Sequence, residues 1–343
     1  MKISPLQCGI YNHQADRIEK ALSSLEIPTR VQGGEVGLDR IRFHLAPLSD
    51  IQANQVREIA SRVAEEMGVY NVHVDEREKG LVLDLPLEED ASLPLLSLLK
   101  DLGTLLPMTA VLGISGSGKP MLLNLRRDET WHLFACGRPN SGKSELLRTI
   151  IMSLALNNRQ SQVQFLGIDL SGKELSVIDA LPHALAEVAV DPVYAEEVII
   201  WLVEEIQRRN VVQVRYPDII LVIDELEAVM HHSELFLRNL PVILEGGSKA
   251  GIHLLATSKD VRPGTYLPNW RKSGVVIARA IGDTHRSGAA EVRRGQFEFH
   301  VSGKSIKAQV AWLPVQDLQR AVTMVRAGWH AKDTSVNLKA LWE

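Results

Sequence analysis

Cysteine is scarce, with two residues, Cys8 and Cys136, in a chain of 343. A single pair cannot make the disulfide framework that holds small secreted domains together. Aromatic residues amount to 5% of the chain. Trp131, Trp270, Trp312, Trp329 and Trp342 are dispersed, so no ladder of rings is set out to stack successive bases. No apolar run approaches the ~18–20 residues that cross a bilayer. The opening stretch MKISPLQCGIYNHQADRIEK lacks the apolar centre of a secretory signal. The expectation is a soluble, cytoplasmic chain with no membrane insertion. Histidine and cysteine are not spaced as metal ligands: His231 and His232 adjoin each other in no ligating pattern, so no His or Cys metal site is expected.

Strong charge of one sign is lacking overall, at a net −4, but it is unevenly spread. Residues 259–343 carry 14 Lys/Arg against 7 Asp/Glu, which leaves the first 258 residues at −11. A basic C-terminal third fits either a polyanion footprint or a solvated mixed surface. The length and the 45% hydrophobic content are enough for roughly two domains at ~100–200 residues each.

The first part reads as a small α/β unit without a catalytic motif. Residues 12–26 repeat Ile18, Leu22 and Leu25 at helical spacing, and 51–67 does the same with Ile51, Val56, Ile59 and Val63. Strands are expected at 40–45, 69–74 and 81–85, and a helix at 90–102. The texture then changes. Apolar strands at 130–136, 161–169, 218–224, 251–257 and 274–281 alternate with helices at 145–155 and 190–209, as in a doubly wound α/β sheet. The expected division is a small α/β domain over 1–125 ending in a β-hairpin, a doubly wound α/β domain over 126–317, and a helix or tail over 318–343.

After the first of these strands comes Gly137-Arg138-Pro139-Asn140-Ser141-Gly142-Lys143-Ser144, which fits G-x-x-x-x-G-K-[ST] and leads into a helix at Glu145. Glycines at both ends let the backbone curl so that its N–H groups converge on phosphate oxygens, and the helix start adds positive potential. Lys143 is expected on the β/γ-phosphates of ATP, and the Ser144 hydroxyl on Mg²⁺. Residues 137–145 form the expected nucleotide-binding set. A second string, GISGSGKP from Gly113 to Pro120, also reads G-x-x-x-x-G-K. It ends in proline, which has no hydroxyl for a metal, and no helix follows, so a hairpin turn is expected there.

Asp224 and Glu225 close the apolar run IILVIDE. Carboxylates at the carboxyl end of a buried strand project where ligands bind in open α/β sheets. Asp224 is expected to hold Mg²⁺, and Glu225 to orient and deprotonate an attacking water. The strand GIHLLATS ends in Thr257 and Ser258. Ser258 is a candidate contact for the γ-phosphate or the water, or else a plain loop entry. His253 alternates with apolar neighbours and reads as a core histidine.

These residues, in this order, resemble the FtsK/SpoIIIE family of DNA-translocating ATPases. The blocks IDLSGKELSVIDALPHALAEV, WLVEEIQRR, LVIDELEAVM and KAGIHLLATS carry the likeness, and LGISGSGKPMLLNL resembles the hairpin before the family's motor core. The likeness covers about residues 12–315 and is strongest over 130–258. It implies a RecA-like phosphate-loop ATPase domain behind a small α/β domain, a homo-hexameric ring, and double-stranded DNA as the partner in its channel. No counterpart of the family's membrane-anchoring helices or of its winged-helix module is expected in this sequence. Where the family carries an arginine acting on the neighbouring subunit's ATP, this sequence has Ser248-Lys249, and the resemblance casts Lys249 in that role. Where the family has a glutamine after its Ala-Thr pair, this chain has Ser258. That serine and the segment GVVIARAIGD are similar to ATPase modules of type VII secretion systems, so a module acting on protein is the alternative, with a conjugation-type motor beside it. A degenerate module that binds nucleotide but hydrolyses it poorly is the remaining non-motor reading.

Overall fold

The computed structural model describes residues 8–23, 29–36, 40–47, 53–67, 72–77, 80–86, 93–116, 118–259, 273–281 and 294–330. Much of the basic third, at 260–272, 282–293 and 331–343, lies outside the described residues, as does the expected tail beyond His330. The chain divides into two compact units, one of residues 1–92 with 114–119 and one of 93–113 with 120–343. Residues 93–113 and 120–125, grouped with the first domain in the sequence reading, belong by this division to the second unit.

The first unit is an antiparallel sheet with strand order β1-β2-β4-β3. Its strands are β1 (Thr29–Val36), β2 (Arg40–Pro47), β3 (His73–Arg77) and β4 (Gly80–Pro86), with helices α1 (Cys8–Ser23) and α2 (Ala53–Met67). Strand β2 alternates as a half-buried strand should, with Ile41, Phe43 and Leu45 buried. They join Ile18 and Leu22 of α1, Ile59 and Val63 of α2, and Leu81, Leu83 and Leu85 of β4 among the buried residues. Strand β1 has no counterpart in the sequence reading. Its run TRVQGGEV holds two glycines and a register shift between Val31 and Gly33, so period-2 patterning does not show.

The second unit is built on a nine-stranded sheet of order β6-β5-β13-β12-β11-β7-β10-β9-β8. Five neighbouring strands are parallel: β11 (Val275–Ala280), β7 (His132–Cys136), β10 (Ile252–Ser258), β9 (Asp218–Ile223) and β8 (Val163–Ile168). They are joined by α4 (Lys143–Asn157), α5 (Pro192–Val212), α6 (Leu226–His232) and α7 (Glu234–Ala250). Ile219, Leu221 and Ile223 of β9 share one core with Ile252, Leu254 and Ala256 of β10 and with apolar residues of α5, α6 and α7. The alternate residues Ile220, Val222 and Leu255 are fully buried too, as expected of strands covered on both faces. Helix α5 starts at Asp191, whose carboxylate accepts from the N–H groups of Val193 and Tyr194, with proline at the first helical position.

The parallel core is extended by antiparallel β12 (Gln296–Val301) and β13 (Lys304–Val310), then by β5 (Thr109–Ser115) and β6 (Pro120–Asn124). The GISGSGKP string is thus the turn between two strands. Ser115 N–H donates to Lys119 O, and no helix follows. Helix α3 (Leu95–Leu102) precedes β5, and α8 (Val315–His330) closes the described chain. Beneath the parallel strands sits a polar cluster. Buried Asp218, at the start of β9, receives Arg126 and His253, and His253 Nδ1 bonds to Trp131 O at 3.0 Å. His253 is therefore a satisfied core histidine.

Candidate nucleotide and hydrolysis site

Strands β7, β9 and β10 are adjacent and parallel, so their carboxyl ends open on one edge of the sheet. The loop 137–144 leaves β7 there. Its curl rests on left-handed backbone at Asn140 (φ 64°) and Gly142 (φ 98°). A Cβ on Gly142 would stand 3.0 Å from Gly295 N, so a side chain there would be crowded as well as strained in conformation. Gly295, at the foot of β12, donates its N–H to Ser141 O at 2.9 Å and accepts from Val310 at 2.8 Å, bracing the loop from the antiparallel extension. Sequence reading did not single out Gly295, because nothing in the linear order ties it to the loop.

Arg138, Pro139 and Asn140 are exposed at the loop's crest, while Ser141 is fully buried. Lys143 is only 9% exposed and folds across its own loop, donating to Gly137 O at 2.8 Å and Arg138 O at 2.9 Å. An ammonium held by two carbonyls inside a curl of amides is poised to exchange them for phosphate oxygens. Glu145 lies in the first turn of α4, but its carboxylate turns away, accepting from Leu313 N–H and pairing with Arg148. Of the nine residues expected to bind nucleotide, Glu145 contributes backbone position rather than side chain.

Asp224, at the end of β9, is 5% exposed. The Ser144 hydroxyl lies 3.3 and 3.4 Å from its two oxygens, and the Thr257 hydroxyl donates to Oδ1 at 2.6 Å. Burial raises the Asp224 pKa above the usual carboxylate value, with Asp169 and Glu174 adding to the rise while Thr257 and Ser144 oppose it. A hydroxyl and a buried carboxylate side by side offer oxygen atoms of the kind Mg²⁺ takes, while among the described residues no group of three or more His, Cys, Asp or Glu is placed to hold a metal ion. Asp169 itself is pinned. Burial works to raise its pKa, but the Ser171 hydroxyl and the N–H groups of Glu174, Leu175 and Ser171 hold it below the ordinary value. Its carboxylate thereby shapes the 169–175 turn, whose Glu174 pairs with Arg148 of α4.

Glu225 follows with left-handed backbone (φ 52°, ψ 66°), unusual for a residue with a Cβ and characteristic of functional turns. Its N–H donates to Thr257 Oγ1 at 2.8 Å. Thr257 thus holds both acids at once, one by its proton and one by its lone pair. Ser258 does not share this role: its hydroxyl bonds to Glu227 in the first turn of α6, a contact that Lys259 N–H reinforces at 2.9 Å. Lys249 is exposed in the last turn of α7.

A phosphate loop on β7, a buried acid on β9 and a hydroxyl on β10 define a RecA-like phosphate-loop fold. Its extent matches solved structures of that class. The pCW3 conjugation coupling protein TcpA, in monomer form with ATPγS, superposes with a TM-score of 0.52 at 15% identity, covering 91% of this chain and 99% of that one. The cytoplasmic domain of the type VII secretion ATPase EccC of Thermomonospora curvata gives 0.56 at 18% identity, covering 79% of this chain and 33% of that one. In sequence, residues 106–262 match the model of the FtsK/SpoIIIE family. Among curated relatives, the DNA translocase FtsK of Tropheryma whipplei (strain TW08/27) is 29% identical over 265 residues, 65% of this chain and 35% of that protein. The DNA translocase SftA of Bacillus subtilis (strain 168) is 23% identical over 355 aligned residues, 92% of this chain and 37% of that protein. The chain therefore spans little more than a third of these relatives' length. Among the described residues no helix is long and apolar enough to cross a membrane.

Proposed function

We propose that this chain is an ATP-driven motor unit that moves double-stranded DNA. The observation that carries the reading is the convergence of Ser144, Asp224 and Thr257 at the mouth of an intact phosphate loop, with Glu225 next in the chain. Such a loop binds triphosphate through its amides and Lys143. Ser144 and Asp224 would hold Mg²⁺, which would supply neutralisation of the triphosphate's negative charge when bound. Glu225 takes a proton from the attacking water, and Thr257 keeps the two acids in register. Lys143 leaves the carbonyls of Gly137 and Arg138 when phosphate arrives.

Duplex DNA as the moved polymer is supported by the curated relatives, which carry the name DNA translocase, and by the excess of Lys/Arg over Asp/Glu after residue 258. Contacts of that kind grip phosphates and read little sequence. A homo-hexameric ring, with Lys249 reaching a neighbour's ATP, completes the proposal. The test is steady-state ATP turnover with and without linear duplex DNA, with Lys143→Ala as the blank. Stimulation by duplex that weakens steeply with salt supports the reading. Stimulation by a peptide but not by DNA moves the chain to a secretion-type function, and turnover no greater than the Lys143→Ala blank overturns it.

A further inference from the structure

Glu225, the residue that hydrolysis needs free, is engaged. Both its carboxylate oxygens face the Lys259 ammonium, at 3.1 Å for Oε1 and 3.2 Å for Oε2. Neither oxygen bonds to Ser144, Asp224 or the phosphate loop. The lysine arrives there by construction. Strand β10 ends at Ser258, whose hydroxyl binds Glu227, and Lys259 donates its own backbone N–H to the same Glu227 oxygen at 2.9 Å. Because Glu227 lies two residues beyond Glu225 in the first turn of α6, fixing the Lys259 backbone on it places the lysine side chain over Glu225. The other side of Glu225 is fixed too, by the Thr257 bond to its N–H. With its backbone held, the carboxylate can leave Lys259 only by side-chain rotation.

We infer that Lys259 is a positioning residue that restrains Glu225 when the site is idle, so that hydrolysis requires Glu225 to exchange Lys259 for the attacking water. A carboxylate with both oxygens on an ammonium is turned toward that partner and is not free to meet a water. The pair is partly open to solvent, at 55% and 45% side-chain exposure, so it is weak enough to break on each cycle. Its proper effect is a modest brake on idle turnover rather than a block. This inference rests on the hydrolytic reading of the site.

The test compares wild type, Lys259→Met and Lys259→Arg by steady-state ATP turnover without DNA, at low salt and at ~0.3 M NaCl. At low salt Lys259→Met is expected to raise kcat about two- to fivefold, the range an exposed ion pair commands. The KM for ATP should stay within about twofold, and Lys259→Arg should behave as wild type. Salt screens the pair, so the wild-type kcat should climb toward that of Lys259→Met while the methionine variant stays flat. A purely structural role would not produce a rise, nor its recovery by arginine. A Lys259→Met kcat at or below wild type, with wild type clearly above the Lys143→Ala blank, overturns this inference alone. Wild type indistinguishable from that blank overturns the hydrolytic reading and this inference with it.

Discussion

Replacing Thr257 by valine removes one oxygen and leaves the side-chain volume nearly unchanged, so it isolates the hydroxyl. That hydroxyl is fully buried and makes two bonds: it donates to Asp224 Oδ1 at 2.6 Å and accepts from Glu225 N–H at 2.8 Å. A hydrogen bond to a charged group is worth about 1.5–3 kcal/mol net. Spent on holding Asp224 and Glu225 in register, that energy corresponds to a kcat about 10- to 100-fold lower. A displacement near 1 Å at a reacting group has an effect of similar size. The loop 137–144 has no bond to Thr257, so the KM for ATP should move by less than about threefold. Thr257→Ser keeps the hydroxyl and should retain kcat within about threefold of wild type. The assay is steady-state ATP turnover for the three proteins, with a thermal melt of each to show that it is folded. A folded Thr257→Val protein with wild-type kcat would refute the reasoning, because the two bonds would then carry no part of the chemistry.

Glu225→Gln should bind a fluorescent ATP analogue as wild type does while hydrolysing at least about 100-fold more slowly; equal turnover would remove its role as base. Gly142→Ala meets both an unfavourable φ of 98° and a backbone atom 3.0 Å from the new Cβ, so nucleotide affinity should drop by about tenfold or more and the melting temperature should fall with it. Stability should also fall with acid. His132 is buried between Leu254 N–H and Leu244 O, and burial, with His253 nearby, pushes its pKa down to about 3; burial lowers that of His183 as well. His132 stays neutral in the folded chain but protonates near 6.5 when unfolded, and the His183 shift acts in the same direction, so stability is full above about pH 6.5 and declines below it. The slope is up to about 1.4 kcal/mol per pH unit per histidine. Urea midpoints measured from pH 7.5 to 4.5 should drop accordingly, and a flat profile would contradict the buried, neutral assignment.

Much of this architecture is legible in the linear order because parallel, doubly covered strands write themselves as unbroken apolar runs. The runs before the phosphate loop, before Asp224 and before Ser258 name β7, β9 and β10, and the loop and acids fall at their ends. The hairpin reading of GISGSGKP needs only the proline and the missing helix. What the sequence hides is pairing. Strand β1, with its two glycines, has no strong local pattern, and tertiary pairing makes it a strand; strands β12 and β13 do alternate polar and apolar residues, as QFEFHV and KSIKAQV, and went unread, but their place in the sheet does not follow from that alternation. Within the site the difficulty is one of choice between neighbours. Thr257 and Ser258 are adjacent polar residues at a strand end, and period-2 alternation sends one hydroxyl to Asp224 and the other to Glu227. Which of them faces the loop depends on register alone. Gly295 and Lys259 are invisible for a different reason: the partners that tie them to the site, Ser141 and Glu225, lie more than 30 residues away in the chain.

The central claim is that ATP turnover in this chain moves duplex DNA, and displacement of a third strand from a linear duplex measures it most directly. A labelled triplex-forming oligonucleotide placed far from the loading end should be released only with ATP, at a time that lengthens with the distance travelled, and not at all by Lys143→Ala. ATP turnover that proceeds on duplex DNA while the third strand stays bound would contradict the account.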